Sequence, residues 1–134
     1  CDIVRVEKDQ IYLIHVKYGF DASIRELTNQ ISLSSRRFHE DRKSGNFKYI
    51  RKVYDQVVTK RESAYLKDFE IFKELFSRKI IFVFAFTSQL KYDEPVETSI
   101  DSYRSNIAKY SLVQCSHDMQ LTEFDLQFCQ IRRT

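Results

Sequence analysis

The 134 residues, 43% of them hydrophobic, are enough to bury one ordinary core, and the presence of only two glycines and one proline favours regular elements over disorder. The longest apolar run, 80–86, is about a third of what a membrane span needs, and no signal-peptide pattern is read, so a cytoplasmic domain with no membrane partner is expected. Net charge is only +3, but nine basic residues stand against three acidic ones between Arg36 and Arg61, which leaves the rest of the chain at −3.

Cys1, Cys115 and Cys129 are odd in number and lack Cys-x-x-Cys spacing. Neither a disulfide framework nor a zinc knuckle is signalled, and small buried thiols are expected. Because the sequence opens on Cys1 inside an apolar run, a single domain belonging to a longer polypeptide is expected.

The first elements are two strands rich in β-branched residues, with Ile3, Val4 and Val6 before a polar break and Ile11, Ile14 and Val16 after it. Their weak alternation predicts burial on both faces. If Lys8-Asp9 form a two-residue turn, Val6 pairs with Ile11, Val4 with Leu13 and Asp2 with His15. Lys17 then follows on the face of His15, since strand side chains alternate. A turn one residue longer would separate Asp2 from His15.

After Gly19, Asp21 or Ser23 is placed to cap a helix through Ile24, Leu27, Ile31 and Phe38. A Gly45-Asn46 break precedes a second helical pattern on Phe47, Ile50, Val53, Tyr54 and Val57, with Lys48, Arg51 and Lys52 on its outer face. Tyr65, Leu66, Phe69, Phe72, Leu75 and Phe76 form a third amphipathic pattern. The run from Lys79 to Thr87 is too short for a typical helix and rich in strand formers, which predicts a central strand. Residues 88–101 read as a loop or lid. A helix with Ser111 as N-cap and Leu112, Cys115 and Met119 inward follows, then an alternating strand from Phe124 to Ile131. The order predicts an α/β (α+β) fold, a mixed sheet opened by a β-hairpin with helices packed against it.

A carboxylate on one strand and an acid-x-Lys pattern on the next is how restriction-type nucleases assemble a site. The acid and a second ligand hold a divalent ion at the scissile phosphate, while lysine stabilises the developing charge. Here the pattern offers Asp2 and His15 as metal ligands and Lys17 as the third catalytic residue. With imidazole where that pattern has a carboxylate, Mg²⁺ is matched less well than Mn²⁺, and a general-base role for His15 is an alternative. The same residues also suit a structural His–Asp pair in an inert hairpin. Gln30, on the following helix, is a secondary candidate to face the site. Arg36, Arg37, Lys43, Lys48, Arg51 and Lys52 are the candidate nucleic-acid contacts, for which a solvated helix face is the alternative. His39 carries either a phosphate contact or a helix end, and His117 carries no assigned role.

The Cys1-Asp2 and Ile14-His15-Val16-Lys17 segments resemble a sporadically distributed, uncharacterised bacterial family marked by Cys-Asp and Ile-His-Val-Lys. Its members are much longer and occur in mobile-element and phage-defence neighbourhoods. The resemblance extends to Ala108-Lys109-Tyr110-Ser111-Leu112 and to the closing strand, with the middle of the chain unanchored. It implies the C-terminal portion of such a protein, a restriction-endonuclease-like fold related to the PD-(D/E)XK nucleases, and a site on Asp2, His15 and Lys17. The expected activity is Mg- or Mn-dependent hydrolysis of nucleic acid, DNA favoured. The family's Ser-His-Leu-Phe-x-Gln-Gly stretch is replaced here by 24–31, without its histidine and glycine. A non-catalytic module that binds nucleic acid or a protein partner is the rival expectation, and an interaction domain presenting Phe47 to Phe76 is a third.

Overall fold

The computed structural model describes residues 2–19, 21–87 and 105–131. Strands β1 (Ile3–Val6) and β2 (Gln10–Lys17) form the expected hairpin, closed at Lys8-Asp9 by a hydrogen bond of 2.9 Å from the Glu7 amide to the Gln10 carbonyl. Ile3 pairs with Ile14, Val4 with Leu13, Arg5 with Tyr12 and Val6 with Ile11, the register a two-residue turn requires.

Helices α1 (Ile24–Ser44) and α2 (Lys48–Val58), a 3₁₀ turn (Ala64–Leu66) and helix α3 (Phe69–Leu75) lead to strand β3 (Lys79–Phe86). Helix α4 (Asn106–Thr122) then leads to strand β4 (Asp125–Gln130). The sheet order is β1-β2-β3-β4, antiparallel at the hairpin and parallel across β2–β3 and β3–β4. The architecture is therefore a mixed α+β sheet with helices against it. The expected lid at 88–101 lies outside the described residues.

Burial on both faces belongs to β3 rather than to the hairpin. Ile80, Phe82, Phe84 and Phe86 enter one core with Ile24, Ile31 and Phe38 of α1 and Leu112 and Met119 of α4, while Ile81, Val83 and Ala85 on the opposite face are buried too. By contrast β1 is an edge strand with Ile3 52% and Val4 43% exposed. In β2 only the face carrying Ile11, Leu13 and His15 is buried.

Three helix expectations change. Helix α1 runs on past Phe38 to Ser44, and Gly45, at φ 73°, closes it by donating its amide to Asp41 O at 2.9 Å. Its polar tail is held by Asp41, a buried side chain whose two oxygens accept the Tyr49 and Ile50 amides at 3.2 and 2.8 Å. Asp41 thereby satisfies two donors of α2's first turn that Phe47, the N-cap position, cannot.

The 65–76 pattern is broken, because the Asp68 carboxylate accepts the Ile71 amide at 2.9 Å and starts a new helix. Ser105, not Ser111, caps α4 through the Ala108 amide at 3.2 Å; Ser111 is a buried interior residue.

Ser111 is buried because α1 and α4 meet along a seam of small residues, Thr28, Ser32 and Ser35 against Ala108, Ser111 and Cys115. Cys115 lies at 3.7 Å from both Ser32 Oγ and the Thr28 carbonyl, and burial pushes its thiol up to about 11, which removes it from thiolate chemistry at neutral pH. Cys129 is exposed, contrary to the expectation of buried thiols, because it points from the open face of edge strand β4. No helix among the described residues is long and apolar enough to cross a membrane.

Candidate functional site

The three parallel strands end on the same side of the sheet, where side chains at strand ends commonly meet ligands. There Gly19, at φ 89°, turns the chain from β2 towards α1, and its amide donates to Thr87 Oγ1 at 2.7 Å. The Thr87 amide in turn donates to Lys17 O at 3.3 Å, which fastens the ends of β2 and β3 together.

Between this end of the hairpin and the first turns of α1 is a recess of about 240 Å³, lined by Asp2, His15, Lys17, Glu26, Leu27 and Gln30 among others. The structure thus brings Asp2, His15, Lys17 and Gln30 to one place.

Asp2 reaches it by a route other than the strand pairing expected. The ladder stops at Ile3 and Ile14; the Asp2 amide donates to Ile14 O at 2.9 Å, and its Oδ2 accepts the Val16 amide at 2.8 Å. The carboxylate takes the place of a backbone acceptor, a substitution that short acidic side chains make readily. No hydrogen bond or ion pair joins Asp2 to His15 among the described residues, so the two do not form the structural pair weighed above.

His15 is only 4% exposed, with its ring stacked on Phe82 at 6.3 Å and 15°, and its Nε2 has no hydrogen-bond partner among the described residues. Burial lowers its pKa from 6.5 to about 4, against an opposing pull from the Asp2 charge, so the imidazole is neutral at pH 7.

The linkage has a definite sign. Between 6.5 and about 4 the unfolded chain binds the proton that the folded chain refuses, so stability is full above 6.5 and falls as pH drops through that window, by up to about 3 kcal/mol. Urea midpoints at pH 7 and pH 4.5 should differ less in His15→Phe, which keeps the packing and removes the titration. An undiminished difference in that variant would contradict the assignment.

Lys17 is half-buried and has no ion pair among the described residues. Glu26, in the first turn of α1, was not among the sequence candidates. Its spacing of four from Gln30 puts both on one helix face and is the signal by which it was readable. With His15 neutral, Asp2 and Glu26 outweigh Lys17 by one negative charge, which disfavours an anion unless a cation accompanies it. Among the described residues no three His, Cys, Asp or Glu side chains are grouped closely enough to hold an ion by themselves.

The six candidate nucleic-acid residues are all exposed. Arg37, Lys48 and Lys52, against the acids Glu40 and Asp41, line a second recess of about 410 Å³ with Tyr49, whose ring lies 5.3 Å from the Arg37 guanidinium. Arg51 lies over Phe69 at 3.8 Å, while Arg36 and Lys43 are exposed on α1. Arg42, part of the same basic stretch, is turned inward. Its guanidinium donates to Phe76 O at 2.8 Å and to Arg78 O at 2.7 Å. His39 is half-buried with its ring edge-on to Phe124, and His117 is exposed.

Gln30 and Arg37 are seven residues apart on α1 and so share one face, about 10 Å apart along the axis. The hairpin recess and the basic recess therefore lie in line.

Compared with known proteins, the chain matches no family model, no curated protein and no solved structure.

Proposed function

We propose that the hairpin recess is a phosphodiesterase centre acting on nucleic acid, DNA favoured, as the resemblance to defence-associated proteins also implies. The observation that carries this reading is the Nε2 of a buried, neutral His15, without a hydrogen-bond partner among the described residues, in a recess that also holds Asp2 and the cation Lys17. A buried polar atom without a partner costs free energy, and a ligand is one way to recover it.

The low pKa favours the metal-ligand role over the base role for His15. A base titrating near 4 accepts a proton poorly at pH 7, whereas a neutral imidazole has its lone pair ready for a metal.

Asp2 and His15 would hold a divalent ion, with Mn²⁺ suiting the mixed nitrogen and oxygen donors better than Mg²⁺. Two protein ligands fit an ion shared with a substrate phosphate rather than a closed protein cage. Such an ion supplies Lewis-acid polarisation of the phosphoryl oxygens and offsets the negative recess.

The chain's own contributions follow from position. Lys17 lies where it can stabilise charge on a non-bridging oxygen as water adds to phosphorus and the P–O ester bond breaks. Gln30, one turn beyond Glu26, can donate to the same phosphate. The Arg37, Lys48 and Lys52 recess holds the backbone about two helical turns away, nearly independently of sequence.

The absence of a three-ligand group among the described residues favours a second reading, a binding module with a nuclease-like arrangement and no turnover. Incubation of the full chain with plasmid DNA and single-stranded RNA separates them. Cleavage in Mn²⁺ and none in chelator is expected; a salt-sensitive complex with intact substrate in both would establish the second reading instead.

A further inference from the structure

A groove of about 480 Å³, larger than the hairpin recess, lies on the other flank of α1, between α1 and α4, within the ~300–1,000 Å³ span of small-molecule sites. Its floor is the small-residue seam, including Ser111, whose hydroxyl has no partner among the described residues.

Three of its polar wall side chains are uncommitted. The side chains of Arg25, Asn29 and Asn106 make no hydrogen bond or ion pair among the described residues. Tyr110 stands at one wall, 67% exposed, and its hydroxyl donates to Gln114, which donates in turn to Asp118 at 3.2 Å. The groove therefore offers a flat aromatic face beside amides able to give and accept two hydrogen bonds each. That combination recognises an unpaired base, stacked on one side and read along its edge.

Arg25 and Asn29 immediately precede Glu26 and Gln30 in sequence, so the groove and the hairpin recess flank the same first two turns of α1. The geometry points to the α1–α4 groove as a nucleobase site, and hence to single-stranded nucleic acid as the substrate class. A strand crossing the start of α1 presents a phosphate to Lys17 and turns the neighbouring base into the groove. A base paired within a duplex cannot enter. The inference rests on the hairpin recess as the phosphate site for its orientation, but its readout is independent of cleavage.

The test is equilibrium binding of a labelled single-stranded DNA oligonucleotide to the full chain, in chelator so that nothing is cut, against a duplex of the same sequence. The single strand is expected to bind more tightly, and Tyr110→Ala to weaken it roughly tenfold or more without changing duplex binding. Tyr110→Phe should restore the affinity by keeping the stacking face, and Asn29→Ala should weaken it alongside Tyr110→Ala. Equal affinity for strand and duplex, or a single-strand affinity indifferent to Tyr110 and Asn29, overturns the groove. Tyr110-dependent binding by a chain that never cleaves in Mn²⁺ leaves the groove standing and removes the phosphodiesterase reading. Mn²⁺-dependent cleavage by a chain whose single-strand affinity is indifferent to Tyr110 does the reverse.

Discussion

Lys17→Ala should lower Mn²⁺-dependent cleavage roughly 10²–10³-fold, the usual cost of removing one preorganised group aimed at transition-state charge. The side chain is half-buried and without an ion pair among the described residues, so its removal breaks no structural bond there and the far-ultraviolet circular dichroism should be unchanged. What it leaves is a recess holding Asp2 and Glu26 with no cation among its described lining residues. Lys17→Arg restores charge without restoring the position of a single ammonium, and should recover substrate affinity more fully than turnover. The split between kcat and KM is informative: a loss confined to KM would make Lys17 a binding residue, and cleavage at the wild-type rate would remove it from the site.

The largest stability effect should come from Phe82→Ala, which deletes a fully buried ring at the centre of the sheet. A loss of about 3–5 kcal/mol is expected, a large part of the ~5–15 kcal/mol that holds a typical domain together. Phe82 is more than filler. Its ring lies 6.3 Å from His15, 6.2 Å from Phe38 and 5.8 Å from Phe124, so it joins the site to α1 and to the end of α4. Opening that wall admits water to the imidazole and should move the His15 titration, followed by NMR, upward towards 6.5. Phe82→Leu should keep most of the stability and most of the lowered pKa. A His15 titration unmoved in a folded Phe82→Ala chain would show that Phe82 does not set the burial of the imidazole.

The elements most legible in the sequence were those fixed by local rules. The hairpin register follows from two residues of turn, and the seven apolar residues from Ile80 to Phe86 announce a central strand. Helix ends were less readable where the deciding atom is a single side chain. Asp68 interrupts a run of apolar positions that is otherwise continuous, and Ser105 caps a helix whose first turns expose Ile107 and Tyr110, so no amphipathic pattern marks its start.

The site was partly readable for the same reason. Alternation along β2 places His15 with Lys17, but no pattern in the chain announces that Asp2 leaves the ladder to bind the Val16 amide. The α1–α4 groove was not legible at all, since Ser32, Ser111 and Thr28 carry neither a hydrophobic signal nor a catalytic one until two helices are laid against each other. Arg42 shows the converse, a residue that sequence groups with the basic surface and that structure commits to the carbonyls after α3.

The parallel pairing of β2 with β3 also governs how the chain must assemble. The hairpin closes over a two-residue turn, a microsecond event for an isolated segment, whereas Gln10 meets Lys79 across 69 positions of sequence, with the loop entropy that such a distance carries. Register at Lys8-Asp9 can be settled early, but the dry wall behind His15 arrives only when Phe82 docks. A peptide of the first 17 residues would thus hold the right pairs and none of the chemistry, because its imidazole would remain in water until the centre of the sheet is in place.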